Sequence, residues 1–148
     1  MAELHPLFAH FPIAMYVSAF LLELFSIFIK KIPKYISLSM VYIGAIMGIF
    51  AALSGSKAFY FADKIPLIIE PLGSHETAGN ILTWSGLIGA FILLYCQLKQ
   101  SSILLLKLII IGSLAVGSVY TGLSGSKLVR EFGAGTNLVG NYFVPLDR

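Results

Sequence analysis

Four long apolar segments, separated by short polar stretches, dominate the hydrophobic pattern of the chain. An α-helix needs about 20 mostly apolar residues to cross the hydrocarbon core of a bilayer, and each segment approaches that length. Because lipid offers the backbone no hydrogen-bond partners, we expect every segment to be helical. The predicted membrane helices cover residues 12–29, 36–53, 81–98 and 103–123.

The connections between these segments alternate in length. Residues 31–34 and 100–102 form short polar turns, whereas residues 58–74 form a longer connection that contains several aromatic residues. Aromatic side chains favour the depth of the lipid head groups, so we expect this connection to lie along the membrane interface. Residues 131–148, which contain several glycines and asparagines, are predicted to be an irregular extramembrane tail.

An internal repeat relates the two halves of the chain. The sequence Leu-Ser-Gly-Ser-Lys occurs at residues 53–57 and again at residues 123–127, an offset of 70 residues that also carries His5 onto His75. Chance reuse of a helix-ending Ser-Gly-Ser is the alternative to duplication. Two copies inserted in the same orientation are related by an axis along the membrane normal. We therefore predict an all-α membrane protein, a four-transmembrane-helix bundle built from two repeated helical hairpins.

Composition agrees with a membrane protein. Hydrophobic residues make up 57% of the chain and charged residues only 11%, whereas a soluble domain carries about a quarter charged residues. The net charge of +3 is spread over loops and helix ends, which favours contact with anionic lipid head groups over nucleic acid. The tightest basic cluster lies at the short turns, which favours turns in the cytoplasm and both termini on the outer side.

The three histidines, His5, His10 and His75, lie near the starts of apolar segments. If Ser74 is the N-cap, the third helix begins at His75, above a stripe of small residues. Helical spacing places His10 above a similar face of the first helix. Two imidazoles from different helices can ligate one haem iron, and small residues can admit the flat ring.

These features predict haem b held by His10 and His75. His5 is the competing ligand, because the repeat pairs it with His75. Basic residues near the same membrane boundary could bind the haem propionates, aromatic residues could pack on the ring, and a glycine belongs to the small-residue stripe. These further candidates are Lys57, Lys127 and Arg130, then Tyr16, Trp84 and Tyr120, and finally Gly79.

Other interpretations of the polar residues remain open. The three histidines could bind zinc or copper with Glu76 as a carboxylate ligand, or they could cap helices near the head groups. The serines of the two repeated segments are interpreted as helix-ending residues with no catalytic base beside them. Glu23 is the single acidic residue inside an apolar segment, and we expect it to pair with a lysine or to stay protonated.

The opening residues resemble the signature of a bacterial family of small membrane proteins, the domain of unknown function numbered 2231. That signature is His-Pro-x-x-x-His-Phe-Pro, and the resemblance covers nearly the whole chain. It implies a bacterial inner-membrane protein with four helices. Some relatives look fused to cytochrome c-like domains, which favours redox chemistry by association. The matching residues here are His5-Pro6, His10-Phe11-Pro12, His75, Leu128-Val129, Gly133 and Gly135.

The leading functional hypothesis is a membrane electron-transfer protein or redox-complex subunit with haem near the outer face. Its partners would be the lipid bilayer and either a larger membrane redox complex or a soluble cytochrome, and a homo-oligomer is compatible with the sequence. The alternative is a structural or assembly subunit of a larger membrane complex with no cofactor of its own. A small transporter is a third hypothesis, which the low charge of the apolar segments disfavours.

Overall fold

The computed structural model describes residues 4–29, 31–62, 68–100 and 104–134. It contains four α-helices, and the described residues form no β-strand. The helices are α1 (His5–Phe28), α2 (Lys34–Ala62), α3 (Ile69–Leu98) and α4 (Leu104–Phe132). Each contains a span that is long and apolar enough to cross a membrane. The predicted all-α membrane protein with four spanning helices is therefore confirmed.

The helices pack in a ring, so that each one has two neighbours. α1 and α3 both lie against α2 and α4. We call α1 and α2 hairpin one, and α3 and α4 hairpin two. Consecutive helices run in opposite directions, so the starts of α1 and α3 share one end of the bundle with the ends of α2 and α4. We call this the histidine end, and the opposite end, with residues 29, 31–33 and 99–100, the turn end.

The helices extend beyond the predicted apolar segments, which corrects the predicted boundaries. Residues 58–62 belong to α2 and residues 69–74 to α3, so little of the predicted interfacial connection remains, and residues 63–67 lie outside the described part. Apolarity marks the lipid-facing length, whereas helical hydrogen bonding continues past it. Pro71 is tolerated because it lies in the first turn of α3, where its missing N–H has no helical partner.

These helix boundaries correct two interpretations of the sequence. His75 lies almost two turns inside α3, so Ser74 is not an N-cap. The two Leu-Ser-Gly-Ser-Lys segments also lie within α2 and α4, so their serines do not end helices. Of the predicted tail, residues 131–132 belong to α4, and residues 135–148 lie outside the described part of the chain.

Tyr16 fills the middle of the bundle. It is 1% exposed and belongs to an apolar core with Ala19, Val41, Leu93, Ile111 and Leu114. Its ring lies on Gly44, where an added Cβ would sit 2.7 Å from Tyr16 Cε1, and its hydroxyl points at Gly86. The absence of a side chain at these two glycines therefore makes room for the Tyr16 side chain. The Tyr16 hydroxyl has no hydrogen-bond partner among the described residues.

A buried ion pair lies nearer the turn end. Glu23 is 2% exposed, and its Oε2 is 2.6 Å from the Nζ of Lys107 on α4. The Ser37 hydroxyl on α2 donates a hydrogen bond of 2.6 Å to the same oxygen. The expectation that Glu23 pairs with a lysine is confirmed, and the contact joins three helices.

Candidate functional site

His5 and His75 meet at the histidine end of the bundle. Their ring centroids are 6.4 Å apart, and the ring planes make an angle of 78°. Both side chains are partly buried. The first turn of α1 and the second turn of α3 therefore supply one imidazole each to a single location between the two hairpins.

His5 is held by the second helix of its own hairpin. Its Nδ1 lies 3.0 Å from the Ala51 carbonyl oxygen and 3.2 Å from Ser54 Oγ. A carbonyl oxygen can only accept, so Nδ1 of His5 carries the hydrogen and donates it. The Ser54 hydroxyl donates to the Phe50 carbonyl at 2.7 Å, which leaves its oxygen lone pairs for His5. Nε2 of a neutral His5 is consequently an unprotonated acceptor.

His75 has the corresponding arrangement in hairpin two. Its Nδ1 lies 2.7 Å from Ser124 Oγ, and the Ser124 hydroxyl donates to the Thr121 carbonyl at 2.9 Å. In the tautomer that carries its hydrogen on Nδ1, His75 donates to this serine, and its Nε2 is an unprotonated acceptor. In that tautomer, His5 and His75 both direct Nδ1 at a partner within their own hairpin.

Glycines provide the surface on which each imidazole rests. A Cβ added to Gly55 would lie 2.9 Å from Cε1 of His5, and one added to Gly125 would lie 3.0 Å from Cε1 of His75. Each histidine thus uses the serine and the following glycine of its own Leu-Ser-Gly-Ser-Lys segment. The serine lies 49 residues after the histidine in both halves.

We expect Gly125→Ala to displace His75 and to lower the stability of the protein by about 1–3 kcal/mol, because overpacking forces a shift of the ring. The measurement is thermal unfolding of the detergent-solubilised protein. Gly79→Ala is the matched control, since an added Cβ at Gly79 meets nothing within 4 Å. Equal melting temperatures for the two variants would contradict the proposed contact.

His10 lies apart from this pair. Its side chain is exposed, and its Nδ1 is bonded to the backbone oxygen of Pro6 on the same helix. The helical spacing that favoured His10 and the repeat that favoured His5 predicted different partners for His75. The structure brings His5 to His75, in the arrangement that the repeat predicts.

The three predicted cations lie towards the histidine end. Lys57 is in the last turns of α2, and Lys127 and Arg130 are in the last turns of α4. All three side chains are exposed, and Lys127 Nζ is 3.7 Å from Glu131 Oε2 one turn later. They are therefore at the end of the bundle where an anionic group beside the histidines would meet them.

The remaining predicted residues do not converge on the histidines. Tyr16 lies about three turns after His5 along α1 and belongs to the central core. Trp84 is 66% exposed and Tyr120 is 59% exposed, so both rings face the surroundings of the bundle. A Cβ added to Gly79 would meet no atom of another helix within 4 Å.

A multi-ligand metal centre is not assembled within the described ranges. No group of three or more His, Cys, Asp or Glu side chains lies close enough there to hold a metal ion. The zinc or copper arrangement of three histidines with Glu76 is therefore not formed. The arrangement that is formed offers two imidazole nitrogens, which suits a metal whose other ligands come from elsewhere, as in haem.

The residues around the histidine pair that the sequence interpretation missed are Ser54, Ser124, Gly55 and Gly125. They were visible in the repeat, but the repeated segments were interpreted as helix ends. The signal that could have found them was already present: the offset that relates the two histidines is the same as the offset that relates the two serines. In an antiparallel hairpin, the start of the first helix lies beside the end of the second, so a histidine–serine contact was predictable.

Comparison with known proteins identifies a family. Residues 2–138 match the family described as predicted membrane protein, DUF2231. No curated protein and no solved structure matches the chain. The family match covers most of the chain and confirms the family expected from the opening residues. The chain therefore belongs to the DUF2231 family of predicted membrane proteins.

Proposed function

We propose that this protein binds haem b between His5 and His75 and acts as a membrane electron carrier or redox-complex subunit. The observation that carries the proposal is the pair of imidazoles that meet while Nδ1 of each is hydrogen-bonded within its own hairpin. A metal-ligating histidine ordinarily donates its other ring N–H to a carbonyl, carboxylate or water, which orients the ring and raises its basicity. His5 and His75 both have such partners before any ligand arrives.

The separation of the rings supports ligation of one iron. Two imidazoles on opposite sides of a metal, each bonded at about 2.0 Å, have centroids roughly 6 Å apart. The measured separation is 6.4 Å. The angle of 78° would not prevent His5 and His75 from holding the same iron, because each imidazole could rotate about a metal–nitrogen bond without losing it.

The surroundings of the pair suit an amphipathic cofactor. The histidines are partly buried, so they lie between the apolar interior and the end of the bundle. Gly55 and Gly125 keep the space beside each ring free of a Cβ. Exposed cations at the same end, described above, would neutralise the propionates. Bound haem would supply reversible one-electron chemistry, and the protein would orient it and adjust its potential.

We further propose that the protein lies in the bacterial inner membrane, with the histidine end and both termini on the outer side. The Lys/Arg counts of the two ends are equal, but the basic residues at the turn end cluster more tightly against the helix ends, which supports this orientation through the positive-inside rule. Electrons would then pass to a soluble cytochrome or a larger membrane redox complex that approaches the histidine end. A homo-oligomer is compatible with this arrangement.

The direct test is an absorption spectrum of the detergent-purified protein, expressed with ample haem and recorded before and after reduction. Ligation by two histidines is expected to give a low-spin spectrum whose bands sharpen on reduction. Metal analysis of the same sample separates iron from zinc or copper. A colourless, iron-free but folded preparation would refute haem binding.

The same contacts favour one alternative, an assembly subunit without a cofactor. The histidine–serine bonds join α1 to α2 and α3 to α4, and would also serve as clamps between helices. Under this alternative the preparation is colourless, and replacing either histidine lowers the melting temperature without changing any spectrum. Co-purification of a membrane complex with the wild-type protein would then identify what it assembles.

The two serines should contribute unequally to cofactor binding. His5 keeps the Ala51 carbonyl when Ser54 is removed, whereas Ser124 is the hydrogen-bond partner found for His75 among the described residues. We expect Ser124→Ala to weaken haem affinity about 10–100-fold and Ser54→Ala to weaken it less. Haem titration into apoprotein measures both effects.

Matched controls for the serine variants lie within the same repeated segments. Ser56 and Ser126 are exposed, and each lies two residues after the serine that binds a histidine. Ser56→Ala and Ser126→Ala should leave haem affinity unchanged. A loss of affinity as large in Ser126→Ala as in Ser124→Ala would contradict the assigned role of Ser124.

A further inference from the structure

The two hairpins differ at the buried ion pair. With the offset of 70 residues, Glu23 corresponds to Leu93 and Ser37 corresponds to Lys107. Leu93 is buried in the central core, and Glu23 is buried beside Lys107. Hairpin one therefore carries a carboxylate and a hydroxyl at the two positions where hairpin two carries a leucine and an ammonium group.

The ion pair crosses the boundary between the hairpins. Glu23 belongs to α1 and Lys107 to α4, and their side chains are 3% and 12% exposed. Ser37 contacts the same Glu23 oxygen from within hairpin one. At the corresponding boundary between α3 and α2 there are Leu93 and Ser37, so the charged contact occurs on one side of the bundle.

Two similar hairpins can in principle pair with their own kind from a second molecule. Pairing two copies of hairpin one would bring the Glu23 carboxylate to Ser37 of the other copy, without an ammonium group. Pairing two copies of hairpin two would bring Lys107 to a leucine. In the hydrocarbon region both arrangements leave an uncompensated buried charge. Only the pairing of unlike hairpins neutralises both groups.

We propose that the Glu23–Lys107 pair selects the pairing of unlike hairpins and excludes pairing of like hairpins between copies of the chain. Buried ion pairs often add little net stability compared with apolar replacements, and buried polar groups can specify which helices associate. The ion pair disfavours association of like hairpins, because each such association buries an uncompensated charge that the pairing of unlike hairpins avoids.

The test reports which helices are neighbours in the full chain. Phe20 on α1 packs against Gly112 on α4, where an added Cβ would lie 3.1 Å from the Phe20 ring. Phe20→Cys and Gly112→Cys, combined with Cys96→Ala, allow a short thiol cross-linker to join α1 to α4. With Glu23 and Lys107 present, the cross-link is expected to form within one chain.

The decisive variant adds Glu23→Leu and Lys107→Ser, so that both positions carry the residues of the other hairpin. We expect helix content to persist while the cross-link between α1 and α4 falls roughly tenfold, because pairing of like hairpins places position 20 of α1 against α2 of another copy and not against α4. Unchanged cross-linking in this charge-free variant would overturn the proposal. Failure of the charge-free variant to fold would also overturn the proposal. The Glu23–Lys107 pair would then be needed for stability and not for the choice of helix partners.

Charge reversal provides the matched control. Glu23→Lys with Lys107→Glu keeps opposite charges at the same boundary and again leaves like pairings with uncompensated charge. We expect cross-linking within one chain to return to the level seen with the natural pair. A cross-link between α1 and α4 as infrequent as in the charge-free variant would show that complementary charge does not select the pairing.

Discussion

Replacing either His5 or His75 by alanine is expected to remove the haem absorption of the purified protein. Each imidazole is one of the two residues that would hold the iron, and the two rings lie 6.4 Å apart on different hairpins. Loss of an outer partner of a ligand weakens metal affinity about 10–100-fold, so loss of the ligand itself should cost more. The measurement is the absorption spectrum after purification with equal haem supply.

His10→Ala is the matched control for this prediction. His10 is on the same helix as His5, but its side chain is exposed and bonded to the backbone oxygen of Pro6. We expect this variant to keep the wild-type spectrum. Loss of haem in His10→Ala together with retention in His5→Ala would reverse the assignment of the ligand.

Added imidazole separates loss of a ligand from loss of the fold. His75→Ala leaves a space beside Gly125 that the ring occupied. Exogenous imidazole is expected to enter this space, coordinate the iron and restore a low-spin spectrum. A histidine that serves only as a clamp between helices gives no such recovery, and a misfolded variant would lack the helix content of the wild type.

The second large effect is expected on stability. Glu23→Leu leaves the Lys107 ammonium group buried without its partner, and we expect a loss of about 3–5 kcal/mol. Lys107→Ser leaves the Glu23 carboxylate buried without its partner and should lower stability by a similar amount. The charge-free combination should recover most of the loss, because the cost comes from an uncompensated charge. Thermal unfolding in one detergent measures all three variants.

The exposed ion pair between Lys127 and Glu131 provides the control for this series. Its charged atoms are 3.7 Å apart, and both side chains are more than half exposed. Glu131→Gln should change stability by less than about 0.5 kcal/mol, since water and salt screen surface pairs. If Glu23→Leu lowered stability no more than Glu131→Gln, the Glu23–Lys107 contact would not be a buried pair of opposite charges.

Much of the fold was predictable because lipid restricts what a chain can do. Each apolar segment is too long to lie in a membrane without internal hydrogen bonds, so a helix is the available structure. The helix ends were less predictable. His75 was expected to begin the third helix but lies within α3, because residues 69–74 already form helical hydrogen bonds before it.

The partner of His75 shows what periodicity alone leaves open. Helical spacing identified a small-residue face beneath His10, but it does not state which face of α1 turns towards the bundle axis. In the structure that axis is occupied by Tyr16, which lies between Gly44 and Gly86. The repeat was the better guide, because an offset shared by histidine and serine reports a contact that both hairpins make.

The sequence by itself determined the membrane class and the number of helices. These follow from length and apolarity, which are properties of the chain along its own axis. Only the tertiary structure decided that His5 meets His75, that serines orient both rings, and that Glu23 pairs with Lys107. Those contacts join residues from different helices, so they depend on how the helices rotate and pack, which local patterns do not specify.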